Sequence, residues 1–172
     1  MDGTAGRVSG GRARWGVFAG LAAAVVVLDQ LSKAWLVANV APGEVMTVLG
    51  DWIRLVHHQN SGALFGLFRD QAILFGLISI GVVGLVIGYH ARLARSLYVS
   101  LALGFLLGGA IGNLVDRLRL GYVVDFVDIG IGDLRFYTFN VADSAISTAI
   151  VLLVAVALFP GVARLAAGPT DG

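Results

Sequence analysis

The chain has 172 residues, of which 58% are hydrophobic and 13% charged, and its net charge is +1. Soluble domains carry about 25% charged residues, so this supply cannot cover a water-facing surface, and a mean hydropathy of +0.87 says the same. Disorder is excluded by the apolar content, the small net charge gives no field for nucleic acid, and the lack of cysteine removes disulfides, thiolate metal sites and thiol nucleophiles. An integral membrane protein remains.

Four stretches approach the about 20 apolar residues that cross a bilayer. The first, about 15–37, is interrupted by Asp29, Gln30, Ser32 and Lys33. Arg7, Arg12 and Arg14 ahead of it would also suit a cleaved secretory leader. Ala34 to Val37 nevertheless continue the apolar run with no clear cleavage site, so the stretch reads as a retained helix. The outer loop 38–71 has β-branched and aromatic residues on both sides of a Gly50–Asp51 turn, which predicts strands over Val45–Leu49 and Trp52–His57 and then a short apolar segment at the interface. Helices over about 72–90 and 97–115 follow. The loop 116–140 has apolar runs around Gly130, Gly132 and Asp133, and Phe126 to Phe139 are expected to form a returning hairpin. The fourth helix, 141–163, has its apolar run from Ser144, directly after Asp143, and is broken only by Pro160. The whole chain, 1–172, is read as one membrane-embedded domain.

Arg7, Arg12, Arg14, Arg92, Arg95 and Arg164 fall on one side of such a bundle, with only Asp2 and Asp171 as acids. The opposite side holds as many bases, spread more thinly among most of the acids. Density of positive charge therefore puts both termini in the cytoplasm and the two apolar loops outside, as a small sheet resting on the membrane. Trp15, Trp35, Trp52 and Tyr89 fall near span ends and suit an aromatic belt. Gly104, Gly108 and Gly112, and likewise Gly84 and Gly88, have the spacing of close helix packing. His57 and His58 are adjacent on a strand, point to opposite faces, and are read as surface residues rather than metal ligands.

Charge at membrane depth is costly, so the ionisable residues there are functional candidates. Asp29 and Lys33 are four apart and read as a structural ion pair on one helix face. Asn113, Asp116 and Arg117 cluster within a turn at the outer end of the third helix. Asn140 and Asp143 suit an N-cap and a first-turn acid. Asp125 interrupts an apolar run where a strand residue would serve. A hairpin between the third and fourth helices can bring Asp125 beside Asp143, and two close carboxylates share one proton, one acting as acid and the other as base. That is aspartyl protease chemistry. The residues alone do not choose this pair over Asp116 with Asp143, nor do they exclude a proton relay in a small proton-coupled transporter, although transporters place such acids near the bilayer midplane.

The strings "GGAIGNLVDRLRLGYVVDFVDI" and "FNVADSAI", with "DQLSKAW" and "NSGALFG" upstream, resemble bacterial lipoprotein signal peptidase (signal peptidase II) in order and spacing over roughly Val17 to Phe159. The resemblance implies a mainly α protein of four transmembrane helices with a small extracytoplasmic β-cradle and a short interfacial helix. It implies an intramembrane aspartyl endopeptidase of the bacterial inner membrane, with cytoplasmic termini and an active site near the outer face. The enzyme would cut the signal peptide from diacylglyceryl-modified prolipoproteins just before the lipidated cysteine. Asp125 and Asp143 fall on the catalytic positions, and Asn60, Asn113, Arg117 and Asn140 on substrate-binding ones. Asp29, Lys33 and Asp116 fall on supporting positions. No metal, cofactor or nucleic acid is expected, and the partners are the prolipoprotein and membrane lipid, with the enzyme a monomer.

Overall fold

Apolar side chains on all faces make sense for helices that pack on one another and on lipid. In a computed structural model of the chain, which describes residues 3–62, 71–93 and 96–159, the order is α1 (Gly3–Asn39), β1 (Val45–Leu49), β2 (Ile53–Asn60), α2 (Ala72–Leu93), α3 (Leu97–Leu120), β3 (Val123–Ile131), β4 (Leu134–Arg135) and α4 (Val141–Leu158). All four helices are long and apolar enough to cross a membrane. In α3 56% of the span is buried, against 17–22% in the others, so α3 is the helix around which the bundle is built.

Small residues put it there. A Cβ on Gly104 would stand 3.0 Å from the Phe18 carbonyl oxygen, one on Gly108 2.6 Å from Val25 Cβ, and one on Gly112 2.7 Å from Asp29 Oδ2, so α1 lies directly on the α3 backbone. Gly109 turns to α4, where a Cβ would come 2.5 Å from the Ala142 carbonyl oxygen. Phe18, Ala22, Val86, Leu103 and Leu107 fill the space between α1, α2 and α3. The expectation for Gly84 and Gly88 is corrected: among the described residues a Cβ on Gly84 meets nothing within 4 Å and one on Gly88 only the far end of Arg92, so neither lies at a helix contact there. Gly108→Ala must push α1 and α3 apart and should cost about 1–3 kcal/mol. A fall of several degrees in the thermal midpoint of the detergent-solubilised protein is expected for it, with no change for Gly84→Ala.

The element boundaries differ from the apolar runs in instructive ways. Helix α3 continues five residues beyond Val115 to Leu120, because Arg117 and Arg119 suit the negative end of the helix dipole, and it stops where Gly121 takes a left-handed conformation at φ 78°. Helix α1 begins well before Trp15, taking in Arg12 and Arg14, and α2 extends to Leu93. In α4 the described residues end at Phe159, so Pro160 to Ala163 fall outside them, as do Arg95, Arg164 and the apolar segment at 63–70 expected at the interface.

The loops form one antiparallel sheet in the order β1-β2-β3-β4. Strand β2 runs three residues past His57 to Asn60, and its pairing with β3 shifts register between Leu55 and His58, so that His58 stands opposite Asp125. The returning hairpin is present, turning at Gly132 (φ 53°), but its second strand is only two residues long. The remaining residues, Phe136–Phe139, form a strap tied back to β3 by a bridge between Val127 and Phe139. Leu36 and Val40 of α1 pack on Val124 and Phe126 of β3, which seats the sheet on the bundle. His58 is exposed as expected, but His57 is half-buried, with Nδ1–H donating to the Val40 carbonyl at 3.2 Å, because its side of the sheet faces the end of α1.

Candidate active site

Sequential residues Val123, Val124, Asp125 and Phe126 are all buried, so β3 is covered on both faces where it leaves α3. Asp125, only 2% exposed, accepts hydrogen bonds from Asn60 Nδ2 at 2.9 Å and from Asn140 Nδ2 at 2.7 Å. Burial, reinforced by the nearby Asp143 charge, pushes the Asp125 carboxyl up to about 7, against the opposing pull of the Asn60 and Asn140 hydrogen bonds and of Lys33. A carboxylate there is expensive and a carboxylic acid is not.

Asp143 is fixed by the start of α4. Asn140 is the N-cap: its side-chain oxygen accepts the Asp143 backbone N–H at 2.9 Å, and Asp143 Oδ2 accepts the Asn140 backbone N–H at 3.3 Å, a reciprocal capping box. The other oxygen of Asp143 accepts from Asn113 Nδ2 at 2.8 Å. The capping role read for Asn140 is therefore real, and the same side chain also holds Asp125. Asn140 and Asn113 are themselves joined, Nδ2 to Oδ1, at 3.2 Å. Helix α3, strand β3 and helix α4 each contribute to one hydrogen-bonded chain running from Asp125 to Asp143.

Below this lies an ionic support. Lys33 Nζ sits 2.8 Å from Asp29 Oδ2 and 2.8 Å from Asp116 Oδ2, with all three side chains buried. Asp29 Oδ1 accepts the backbone N–H of Ala142 at 3.0 Å, and Asp116 Oδ2 that of Val124 at 3.1 Å. The cluster thus pins the first turn of α4 and the start of β3. Lys33 also donates to Asn113 Oδ1 at 3.3 Å, which fixes the amide orientation that points Asn113 Nδ2 at Asp143. Asp116 belongs to this cluster and not to the carboxylate pair. Gln30, to which sequence analysis gave no role, bridges Asp116 and Asp29 at 2.9 and 3.2 Å.

Asp125 and Asp143 line one cavity of about 220 Å3 together with Asn60, Asn113, Arg117, Phe75 and Tyr137. The Arg117 guanidinium lies over the Phe75 ring at 5.7 Å and donates to the Asn113 carbonyl at 3.4 Å. A larger cavity of about 540 Å3 opens from Asp125 outward under the sheet, between Glu44, His58 and Arg135. Its roof is held by Asp128, which takes Arg54 at 2.8 Å and Arg135 at 3.0 Å. Burial alone would raise the Asp128 carboxyl, but the hydrogen bonds from the two arginines hold it below the usual carboxylate range. Neither Asp128 nor Tyr137 was singled out in the sequence. The Arg54–Asp128 pair follows from a β2–β3 register that only the bulge sets.

A profile of the family described as Signal peptidase (SPase) II matches residues 21–159. A lipoprotein signal peptidase of Streptococcus pyogenes serotype M3 (strain MGAS315) is 42% identical over 131 residues, covering 76% of this chain and 85% of its own. One of serotype M5 (strain Manfredo) is 41% identical over the same coverage. Two solved structures share the fold, both bacterial membrane enzymes studied by the in meso method. The one at 2.3 Å resolution has TM-score 0.78 and 27% identity over 91% of this chain and 94% of its own. The one at 1.9 Å has TM-score 0.75 and 30% identity over 84% and 93%. Fold and likeness together define a polytopic membrane enzyme with its polar site at one end of a helical bundle. The chain belongs to the signal peptidase II family and is a membrane peptidase.

Proposed function

We propose that this chain removes signal peptides from diacylglyceryl-modified prolipoproteins by an aspartyl mechanism in which Asp125 and Asp143 share one proton. The observation that carries this reading is Asn140, whose single side chain binds the Asp125 carboxylate and caps the helix turn that presents Asp143. Below about pH 7 Asp125 holds the proton. Asp143 then takes a proton from a water, which attacks the scissile carbonyl carbon, while Asp125 gives its proton to the carbonyl oxygen. Collapse of the diol breaks the C–N bond as Asp143 gives its proton to the leaving amine and a diol hydroxyl gives one to Asp125, which returns the pair to its starting state. No step needs a metal or a covalent intermediate.

The expected substrate-binding set divides on this geometry. Asn60 and Asn140 both donate to Asp125 and so orient it, and Asn113 does the same for Asp143. Arg117, which lies over an aromatic ring and has no ion pair among the described residues, keeps guanidinium donors for substrate carbonyls. The density of Lys and Arg puts the termini in the cytoplasm and the sheet outside. The lipid chains then stay in the bilayer while the peptide crosses the carboxylates beneath the sheet. Both acids lie at helix or strand starts, not mid-helix, which speaks against a transporter.

The test is cleavage of a diacylglyceryl-modified precursor by enzyme in liposomes, with the unmodified precursor as control, across about pH 5 to 9. Because Asp125 loses its proton as pH rises through about 7, kcat/KM should fall about tenfold per unit above that value. A flat alkaline limb, or equal cleavage of the unmodified precursor, would count against the mechanism or the substrate respectively.

A further inference from the structure

The strap between β4 and α4 is nailed down at both ends. Phe136 N–H donates to the Ile129 carbonyl at 2.7 Å, and at the other end Phe139 exchanges hydrogen bonds with Val127 at 2.8 and 3.1 Å. Asn140, the cap of α4, follows directly. Of the two residues between these anchors, Tyr137 and Thr138, the first follows directly on the anchored Phe136, and its ring packs against Phe136 with centroids 4.6 Å apart. Tyr137 lines three cavities at once. One is the cavity of about 220 Å3 that holds both carboxylates, and another is the cavity of about 540 Å3 under the sheet. The third, of about 240 Å3, runs along α4 past Asp143, Ser144 and Ser147. Burial, with the Asp143 and Asp125 charges behind it, raises the Tyr137 phenol above its usual value, as expected of a ring standing beside the pair.

A peptide that lies across Asp125 and Asp143 and continues into either neighbouring cavity has to pass this ring. We infer that Tyr137 is a specificity-determining residue, a fixed wall at the junction of the three cavities that limits the size of the substrate side chain immediately before the scissile bond. This rests on the peptidase reading above and deepens it. It assigns the wall to the ring and not to the hydroxyl, so the tyrosine-to-phenylalanine change is its internal control.

The experiment measures kcat/KM for full-length enzyme in nanodiscs on two diacylglyceryl-cysteine peptides that differ only in the residue before the cut, alanine or leucine. In Tyr137→Ala the alanine-to-leucine ratio should fall about tenfold, while Tyr137→Phe should leave it within about twofold, as expected when hydrophobic space rather than a hydrogen bond discriminates. Tyr137→Trp, which keeps an aromatic in the strap, should move the ratio the other way and decides the matter if the alanine variant does not fold. An unmoved ratio in both the alanine and the tryptophan variants, or an equal shift in the phenylalanine variant, overturns the proposal. Asp125→Asn is run beside them. Turnover by that variant defeats the aspartyl mechanism whatever the ratio does, whereas a silent Asp125→Asn with an unmoved Tyr137 ratio defeats the wall alone.

Discussion

Asp125→Asn and Asp143→Asn should each lower kcat by about three orders of magnitude while the protein still inserts and folds, because each removes one half of an acid–base exchange. The two variants should differ in stability, and the sign can be worked out. The Asp125 carboxyl has a folded-state value of about 7 against an ordinary 3.8. Its contribution to stability is therefore fully present below the ordinary value and is lost as pH rises through about 7. Asparagine carries no such penalty, so the thermal midpoint of Asp125→Asn relative to the parent should climb between about pH 4 and about pH 7. Asp143→Asn loses the carboxylate of the capping box, and removal of a cap interaction costs about 1 kcal/mol. Cleavage of lipidated precursor, with melting curves at both pH values, reads both effects. Near-normal turnover in a folded variant of either kind would end the dyad assignment.

Lys33→Met should have the largest effect on stability. It keeps the unbranched side chain to within one atom of its length and removes the cation that stands 2.8 Å from each of two buried carboxylates. Breaking a buried pair by deleting one partner costs about 3–5 kcal/mol, here with two acids left facing each other. For a chain of this size that corresponds to a fall of about 10 °C in thermal midpoint. Arg54 with Asp51, at 3.3 Å and half in solvent, is the contrasting case: Asp51→Asn should cost below about 1 kcal/mol. Melting of the two variants in the same detergent compares them directly. Lys33→Arg should not restore the parent, since a planar fork does not fit where a single ammonium meets two carboxylates and the Asn113 amide.

Much of this architecture is legible in the sequence because lipid leaves few options: the four spans announce themselves by length, and Gly104, Gly108 and Gly112 declare the face on which α1 lies. The acids were legible for a related reason, since Asp29, Asp116, Asp125 and Asp143 stand out against an apolar background. Their partnership was not. On the residues alone Asp116 and Asp125 are equally plausible mates for Asp143; the resemblance favours Asp125, and in three dimensions Asp116 is held by Lys33 and Gln30. Helix ends were missed wherever charge lay inside the helix, as at Arg117 and Arg119, because an apolar run ends before the hydrogen bonding does. The sheet register was hidden by the irregularity between Leu55 and His58, which no local pattern encodes. Gly84 and Gly88 show the converse failure, where the right spacing occurs with nothing opposite it.

The cap of α4 has a consequence for the life of the enzyme. A hydrolase that arises one span at a time in a membrane crowded with extended polypeptides needs to stay inert until assembly is complete. Here Asn140 can reach Asp125 only after its own helix has formed and docked, and Asp143 takes its place only within that first turn. The fourth span is thus, on the mechanism proposed above, the one that arms the site. On the proposed mechanism, a chain truncated or frayed before α4 would be harmless to its neighbours, with quality control built into a single asparagine.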